Sequence, residues 1–231
     1  LDRAGIQLDL NIYMPLSLYF LLTAYYSDAL DVLIRNIDYI DEVEYALNML
    51  AVIFYKYDKK DESLEVLEEA IKNDAKKDII YYNAALLSYM IGDYQKAVNY
   101  LEGRDDTLSG RSNFFLCLGD SLYNVGEMER AALYFEKYLY KNSKNMNVLG
   151  KLIDIYYEEA NYPKALKYIN IFETNEGNIS NMLFKKAVSL YFTGNYKESM
   201  AVLAKILGID RKFLEGKGRD YLFGLFVETF R

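Results

Sequence analysis

The chain of 231 residues contains no His, no Trp, two Pro and a single Cys, Cys117. It therefore cannot form an internal disulfide or a Cys/His zinc site, and it has no imidazole to act as a base. So little Pro favours long, uninterrupted helices. Long hydrophobic runs are also missing: residues 12–26 are apolar but too short to cross a bilayer, and Pro15 and Ser17 interrupt them. We therefore expect no direct membrane insertion.

Positive charge is scarce as well. Lys and Arg number 27 against 34 Asp and Glu, which gives a net charge of −7 and a pI near 4.9. This balance argues against nucleic-acid partners and anionic membrane surfaces, since both attract clustered Lys and Arg. The lone thiol fits a reducing compartment but leaves the cytoplasm and the bacterial envelope both open. Since the first residue is Leu1, we expect a fragment or a processed form.

What the chain does contain is apolar residues spaced three and four apart, which indicates helices throughout. The pattern also repeats every 34 residues. One column of the repeat holds only small residues, and the column four places later holds only large apolar ones. The small column consists of Ala29, Ser63, Ala97, Ala131, Ala165 and Ser199. Small residues at this spacing predict pairs of helices that cross closely, with large side chains filling the space on either side.

Short polar phrases separate the helices of each pair. Gly92-Asp93-Tyr94 and Gly126-Glu127-Met128 are two examples, and Asp58 and Gly194 occupy the same column as Gly92 and Gly126. A helix that must end abruptly commonly does so with a left-handed residue, for which Gly is best suited. We therefore predict a turn at each of these positions.

These phrases, with Tyr81, Gly92 and Ala97 in one repeat and Phe115, Gly119 and Ala131 in the next, resemble the tetratricopeptide repeat (TPR) family. The resemblance implies an all-α fold, a right-handed α-solenoid of antiparallel helical hairpins. It covers six repeats: 10–43, 44–77, 78–111, 112–145, 146–179 and 180–213. Residues 1–9 are then a lead-in. Residues 214–231 are either a capping helix or the start of a further repeat, and their apolar stretch could mediate self-association.

The sequence departs from the family pattern at several points, among them Ile153, which stands where a small residue is expected and predicts a slightly splayed fifth hairpin. The closing Pro is missing from every repeat, and Gly103 and Gly110 bracket residues 104–109. Glycine inside a helix is unfavourable. We therefore expect the second helix of the third repeat to end early.

The resemblance also implies that the first helix of each repeat lines a concave groove where partners bind. Tyrosines occupy one column of this face, asparagines another, and two carboxylates a third. The expected groove residues are Tyr55, Tyr89, Tyr123, Tyr157, Tyr191, Asn113, Asn147, Asn181, Asp120 and Asp154. Tyrosine gives a broad, stiff contact surface, and asparagine can pair with a peptide backbone. The tyrosines could equally be structural, and the two aspartates could be a solvated acidic face.

The N-terminal part of this groove is apolar and its middle acidic, which predicts a partner segment with apolar anchors and Lys or Arg. The leading function is accordingly a non-enzymatic scaffold or adaptor that holds other proteins, with no cofactor or metal. A peptide-sensing regulator is one alternative. A hydrolase that uses Asp120 and Asp154 as acid and base is another, although no phosphate loop or metal cluster accompanies this pair.

Overall fold

A computed structural model describes four stretches of the chain: residues 13–36, 43–111, 113–176 and 180–209. Across these stretches every regular element is an α-helix and none is a strand. The predicted lead-in at 1–9 and the predicted terminal helix at 214–231 lie outside them. No helix in the described stretches is long and apolar enough to cross a membrane.

The helices alternate between first and second members of hairpins. The first members are α1 (Tyr13–Leu22), α3 (Val43–Lys56), α5 (Asp78–Ile91), α8 (Phe114–Val125), α10 (Met146–Glu158) and α12 (Ser180–Phe192). The second members are α2 (Tyr26–Asn36), α4 (Lys60–Lys72), α6 (Tyr94–Leu101), α9 (Met128–Lys141), α11 (Tyr162–Glu176) and α13 (Tyr196–Ile209). A four-residue helix, α7 (Asp105–Leu108), follows α6. All six second members begin 34 residues apart, which agrees with the period of the sequence.

The chain divides into two compact units, residues 1–127 and 128–231. The first contains α1 to α8 and the second α9 to α13. Within each unit, the two helices of a hairpin pack on each other and on the next hairpin. The all-α, helical-hairpin fold predicted from the sequence is confirmed. The boundaries of the six repeats stay a prediction.

The turn between the two helices of a hairpin always contains one left-handed residue. These residues are Ala24, Asp58, Gly92, Gly126, Ala160 and Gly194, with φ between +55° and +90°. In the α5–α6 turn, the Asp93 N–H donates to the Ser88 carbonyl at 2.8 Å and so satisfies a helix end. The turns predicted at 58, 92, 126 and 194 are confirmed.

The small column of the repeat is buried without exception, and each member is at most 1% exposed. Three of the helix crossings also carry a hydrogen bond. The Ser63 hydroxyl donates to the Ala51 carbonyl at 2.6 Å, and the Ser199 hydroxyl donates to the Ala187 carbonyl at 2.7 Å. In the first hairpin the direction is reversed, because Ser17 on α1 donates to the Ala29 carbonyl on α2 at 3.1 Å. The predicted close crossings are confirmed for the five hairpins whose two helices lie within one unit.

The second helix of the third hairpin ends early, as the glycines predicted. It stops at Leu101, and Gly103 follows with φ +75°. The Arg104 guanidinium then lies 3.5 Å from the centre of the Tyr81 ring and donates to the Asp78 carboxylate at 2.5 Å. Leu108 in the short helix α7 is 1% exposed. The interrupted helix is therefore anchored to α5 by Arg104 and to the core by Leu108.

In each unit, a carboxylate on one second helix accepts at least one hydrogen bond from a side chain on the next second helix. In the first unit, Glu68 on α4 accepts from the Lys96 ammonium at 2.8 Å and from the Tyr100 hydroxyl at 2.9 Å, both on α6. In the second unit, Glu136 on α9 accepts from the Tyr156 and Tyr168 hydroxyls, both at 2.8 Å. Burial, reinforced by these carboxylates, raises the pKa of Tyr100, Tyr156 and Tyr168.

Candidate partner-binding surfaces

The first unit contains an open apolar pocket between its second and third hairpins. Its volume is about 210 Å³. Val52 and Tyr55 of α3, together with Leu86 and Met90 of α5, form its sides. Tyr55 and Met90 remain 38% and 46% exposed at the rim. The pocket lies between consecutive first helices, in the N-terminal part of the groove, which the sequence predicted to be apolar.

A pair of amides lies on the same two helices. The Asn83 side-chain N–H donates to the Asn48 side-chain oxygen at 2.6 Å, and Asn83 also lines the pocket. Each amide has both a donor and an acceptor, and this bond uses one of each. The Asn48 N–H group and the Asn83 oxygen can therefore still pair with a peptide backbone.

The tyrosine column predicted for the groove is partly structural. Tyr89 and Tyr191 lie edge-on against the first residue of the following helix. The ring centres are 5.7 Å apart for Tyr89 and Tyr94 and 5.2 Å apart for Tyr191 and Tyr196. The same geometry joins Tyr157 to Tyr162, at 6.2 Å. These rings are half-buried, so each packs at its turn while part of its surface stays exposed.

Tyr123 is half-buried as well, and Tyr55 is the most exposed tyrosine of the column. Tyr55 is also the only one of the five that lines the apolar pocket described above. It therefore combines the residue type expected in the groove with an accessible ring.

The Asp120 side chain is buried. It is 6% exposed, and the Tyr89 hydroxyl donates to its carboxylate at 3.2 Å. Burial and the Asp120 charge together raise the pKa of Tyr89 to about 12. The interpretation of Asp120 as part of a solvated acidic face is therefore wrong, because this carboxylate belongs to the interior of the first unit.

Asp154, in the second unit, is 40% exposed at its side chain but is paired with Lys185 of α12, whose side chain is 16% exposed. The Lys185 ammonium also lies 5.8 Å from the centre of the Tyr157 ring. Sequence reasoning missed Lys185, although this cation offsets the charge of the carboxylate. The three asparagines Asn113, Asn147 and Asn181 are exposed, as a groove residue must be.

Metal-binding chemistry has no obvious place in the described part of the chain. There, no three His, Cys, Asp or Glu side chains come together in a way that could hold an ion. Cys117 is buried, and its burial together with the Asp120 charge raises the pKa of the thiol to about 12 despite an opposing effect of Ser121.

No protein-family profile matches the chain. The TPR repeat-containing protein MJ1428 of Methanocaldococcus jannaschii is 23% identical over 158 residues, which is 64% of this chain but 28% of that protein. The chain therefore spans little more than a quarter of the length of this curated relative.

Solved structures extend the likeness at the level of fold. PilF of Pseudomonas aeruginosa is 20% identical with a TM-score of 0.54, over 88% of this chain and 92% of that one. YrrB, described as a TPR protein with an unusual peptide-binding site, is 15% identical with a TM-score of 0.61, over 78% and 93%. MamA is 17% identical with a TM-score of 0.60, over 72% and 91%. At identities this low, the structural similarity shows that the fold is shared, and it shows the fold alone.

Proposed function

We propose that the chain, which is similar to tetratricopeptide repeat proteins in sequence and in fold, is a non-enzymatic scaffold that binds a segment of another protein. The binding site is the apolar pocket of the first unit, lined by Val52, Tyr55, Leu86 and Met90. This pocket is the observation that carries the proposal. The peptide-binding site of YrrB, a protein of the same fold, gives further support.

The size of the pocket favours a protein segment over a small molecule. Small-molecule sites enclose roughly 300–1,000 Å³, whereas this pocket holds about 210 Å³ and is open to solvent. Such a space suits one aliphatic or aromatic side chain of an extended peptide. In this proposal the amide groups of Asn48 and Asn83 that their mutual hydrogen bond leaves over pair with the peptide backbone beside that anchor.

We therefore expect the partner segment to carry one apolar anchor residue, next to backbone N–H and C=O groups that are free to form hydrogen bonds. The Lys or Arg that the sequence predicted in the partner has weaker support, because Asp120 is buried and Asp154 is paired with Lys185. Hydrophobic burial then supplies most of the affinity, at about 25 cal/mol per Å² of apolar surface removed from water.

The experiment is selection of peptides from a random displayed library on the intact protein, followed by affinity measurement with purified variants. Met90→Lys places a charge at the rim of the pocket, where Met90 is already 46% exposed. We expect this variant to remain folded and to lose roughly tenfold or more in affinity, about 1.4 kcal/mol.

Leu133→Lys is the matched control, because Leu133 is 50% exposed and lies on α9 in the second unit. It should bind the selected peptides as tightly as the unaltered protein does. Equal binding by the Met90→Lys and Leu133→Lys proteins would show that the pocket is not the peptide site.

A further inference from the structure

The methionine side chains that the structure describes are, with one exception, protected from solvent. The exception is Met90, which is 46% exposed. The others are buried or half-buried: Met49, Met128, Met146, Met182 and Met200. Exposure largely governs how readily a sulfur side chain is oxidised. In the described part of the chain, Met90 is therefore the methionine that a dissolved oxidant reaches first.

Met90 also lies where its chemistry matters for binding. It belongs to α5 and lines the rim of the apolar pocket of the first unit. Val52, Leu86 and Leu87, which line the same pocket, have no polar atom in their side chains. A thioether suits such a lining, because it is apolar, flexible and polarisable. The reduced side chain therefore extends the apolar surface that the pocket offers to an anchor residue.

Hydrogen peroxide oxidises a thioether without a cofactor or a neighbouring base. The sulfur attacks one oxygen atom of the peroxide, the O–O bond breaks, and the proton of the transferred hydroxyl goes to the departing hydroxide. The products are methionine sulfoxide and water, so the sulfur loses two electrons and the peroxide gains two. The oxidised side chain is polar where the reduced one was apolar, and methionine sulfoxide reductases reverse the change.

We propose that oxidation of Met90 is a reversible switch of the peptide site, which releases the partner segment when peroxide is present. This inference rests on the function proposed above, since it requires the pocket to hold an apolar anchor. In the free protein, a sulfoxide oxygen at the exposed rim accepts hydrogen bonds from water. An anchor residue that covers this oxygen removes the water, and Val52, Leu86 and Leu87 have no donor to replace it. Oxidation therefore weakens binding of the anchor.

A bound peptide should in turn protect Met90. An anchor residue in the pocket covers the rim and hinders the approach of peroxide to the sulfur. We therefore expect the peptide to slow oxidation of Met90. Oxidation of Met200, which is half-buried on α13 in the second unit, should proceed at the same rate with and without peptide. This measurement does not depend on any loss of affinity.

The experiment uses a library-selected peptide whose binding is weakened at least tenfold by Met90→Lys. The unaltered protein is exposed to increasing amounts of hydrogen peroxide, and catalase removes the excess before the peptide is added. Mass spectrometry of proteolytic fragments gives the sulfoxide fraction at each methionine, and fluorescence polarisation gives the affinity. We expect the affinity to fall at least fivefold once Met90 is fully oxidised. Methionine sulfoxide reductases with dithiothreitol should restore it.

Two variants locate the effect at Met90. Met90→Leu keeps an apolar side chain but removes the sulfur, so its affinity, whatever its starting value, should not change with peroxide. Met200→Leu removes a methionine of the second unit, and peroxide should weaken its binding as it weakens that of the unaltered protein. Circular dichroism of each oxidised protein shows whether the fold is retained.

Three outcomes would overturn the inference. They are undiminished affinity of protein in which Met90 is fully oxidised, an equal effect of peroxide on the Met90→Leu protein, and oxidation of Met90 no faster than that of Met200. Each of them leaves the pocket as the peptide site, because Met90→Lys has already tested it. If instead no selected peptide responds to Met90→Lys, the pocket is not the peptide site, and the proposed function fails together with this inference.

Discussion

At the scale of single residues, the left-handed turn positions show where this chain is strained. Ala160 has φ +55° and Ala24 has φ +62°, in a conformation that costs an L-residue about 1–2 kcal/mol. Gly92, at the same place in its own turn, has φ +88°, and a methyl group added there would meet no atom within 4 Å. The energetic difference between the two positions is therefore one of backbone conformation.

We predict that Ala160→Gly raises the free energy of unfolding by about 0.5–1 kcal/mol, because the relief of strain exceeds the added flexibility of the unfolded chain. Gly92→Ala should lower it by about 1 kcal/mol. Both changes are measured by urea denaturation at pH 7. Two substitutions of the same sign would contradict this account.

The pKa of the Cys117 thiol is also determined by its surroundings. Burial is the main reason that its pKa is raised to about 12. Since only the thiolate attacks disulfide reagents, we predict that Cys117 in the folded protein at pH 8 reacts roughly a thousandfold more slowly than in the denatured protein. The rate of an aromatic disulfide reagent, followed by absorbance, tests this. Rapid labelling without denaturant would refute it.

The burial of Asp120 could not be read from its column in the repeat. The same column holds Val188, which is 1% exposed, but also Leu18, which is 45% exposed, and Asp154, whose side chain is 40% exposed. Equivalent positions in the repeat therefore differ in burial, and neither the residue type nor the column decides it. What the sequence could not supply was the partner, since the Tyr89 hydroxyl belongs to another helix.

At the scale of helices, the close crossings depend on the small column. Ala97 is fully buried where α6 crosses α5. We predict that Ala97→Leu destabilises the protein by about 1–3 kcal/mol, because the added methyl groups must displace packed neighbours. The nearby exposed substitution Gln95→Leu should stay within about 0.5 kcal/mol. Thermal melts of the two variants give the comparison, and equal melting temperatures would argue against close packing at this crossing.

The end of α6 was predictable, but the way in which it is anchored was not. Gly103 and Gly110 indicated an interruption. In other second helices, the position of Arg104 is held by the buried residues Ala70, Phe172 and Ile206. An arginine cannot be buried there without a partner. The helix therefore ends first, Arg104 reaches Asp78, and Leu108 fills the core from α7.

The pairing of Asp154 with Lys185 could not be predicted from the sequence, for a related reason. The two residues are 31 positions apart and lie on first helices of consecutive hairpins. Periodicity identifies which residues share a face, but it does not tell which rotamers bring two charges together. The apolar pocket of the first unit was more accessible to prediction, because Val52 and Leu86 are apolar at equivalent positions.

At the scale of the whole molecule, alkaline pH should destabilise the fold. The pKa of Tyr89 is raised to about 12, and those of Tyr100, Tyr156 and Tyr168 are raised too. In the unfolded chain a tyrosine ionises near pH 10. The folded state then holds more protons above pH 10, and stability must fall as the pH rises. The full contribution of these groups is present below about pH 10 and is lost progressively as the pH rises above it.

We predict that the melting temperature falls steadily between pH 9.5 and 12, as measured by circular dichroism. Tyr168→Phe removes one of the raised groups, so its pH dependence should be shallower than that of the unaltered protein. Tyr140→Phe, at a 91% exposed position, should leave the slope unchanged. Identical slopes for all three proteins would assign alkaline unfolding to other groups.

The serine hydroxyl at the helix crossings has a consequence for how such repeats diverge. Ser17 bonds from the first helix to the second, whereas Ser63 and Ser199 bond from the second to the first. The third hairpin has Ala85 and Ala97 at this place and dispenses with the hydroxyl altogether. Close crossing of the two helices is thus compatible with a hydroxyl on the first helix, on the second helix or on neither, so repeats can differ at these two positions without losing the crossing.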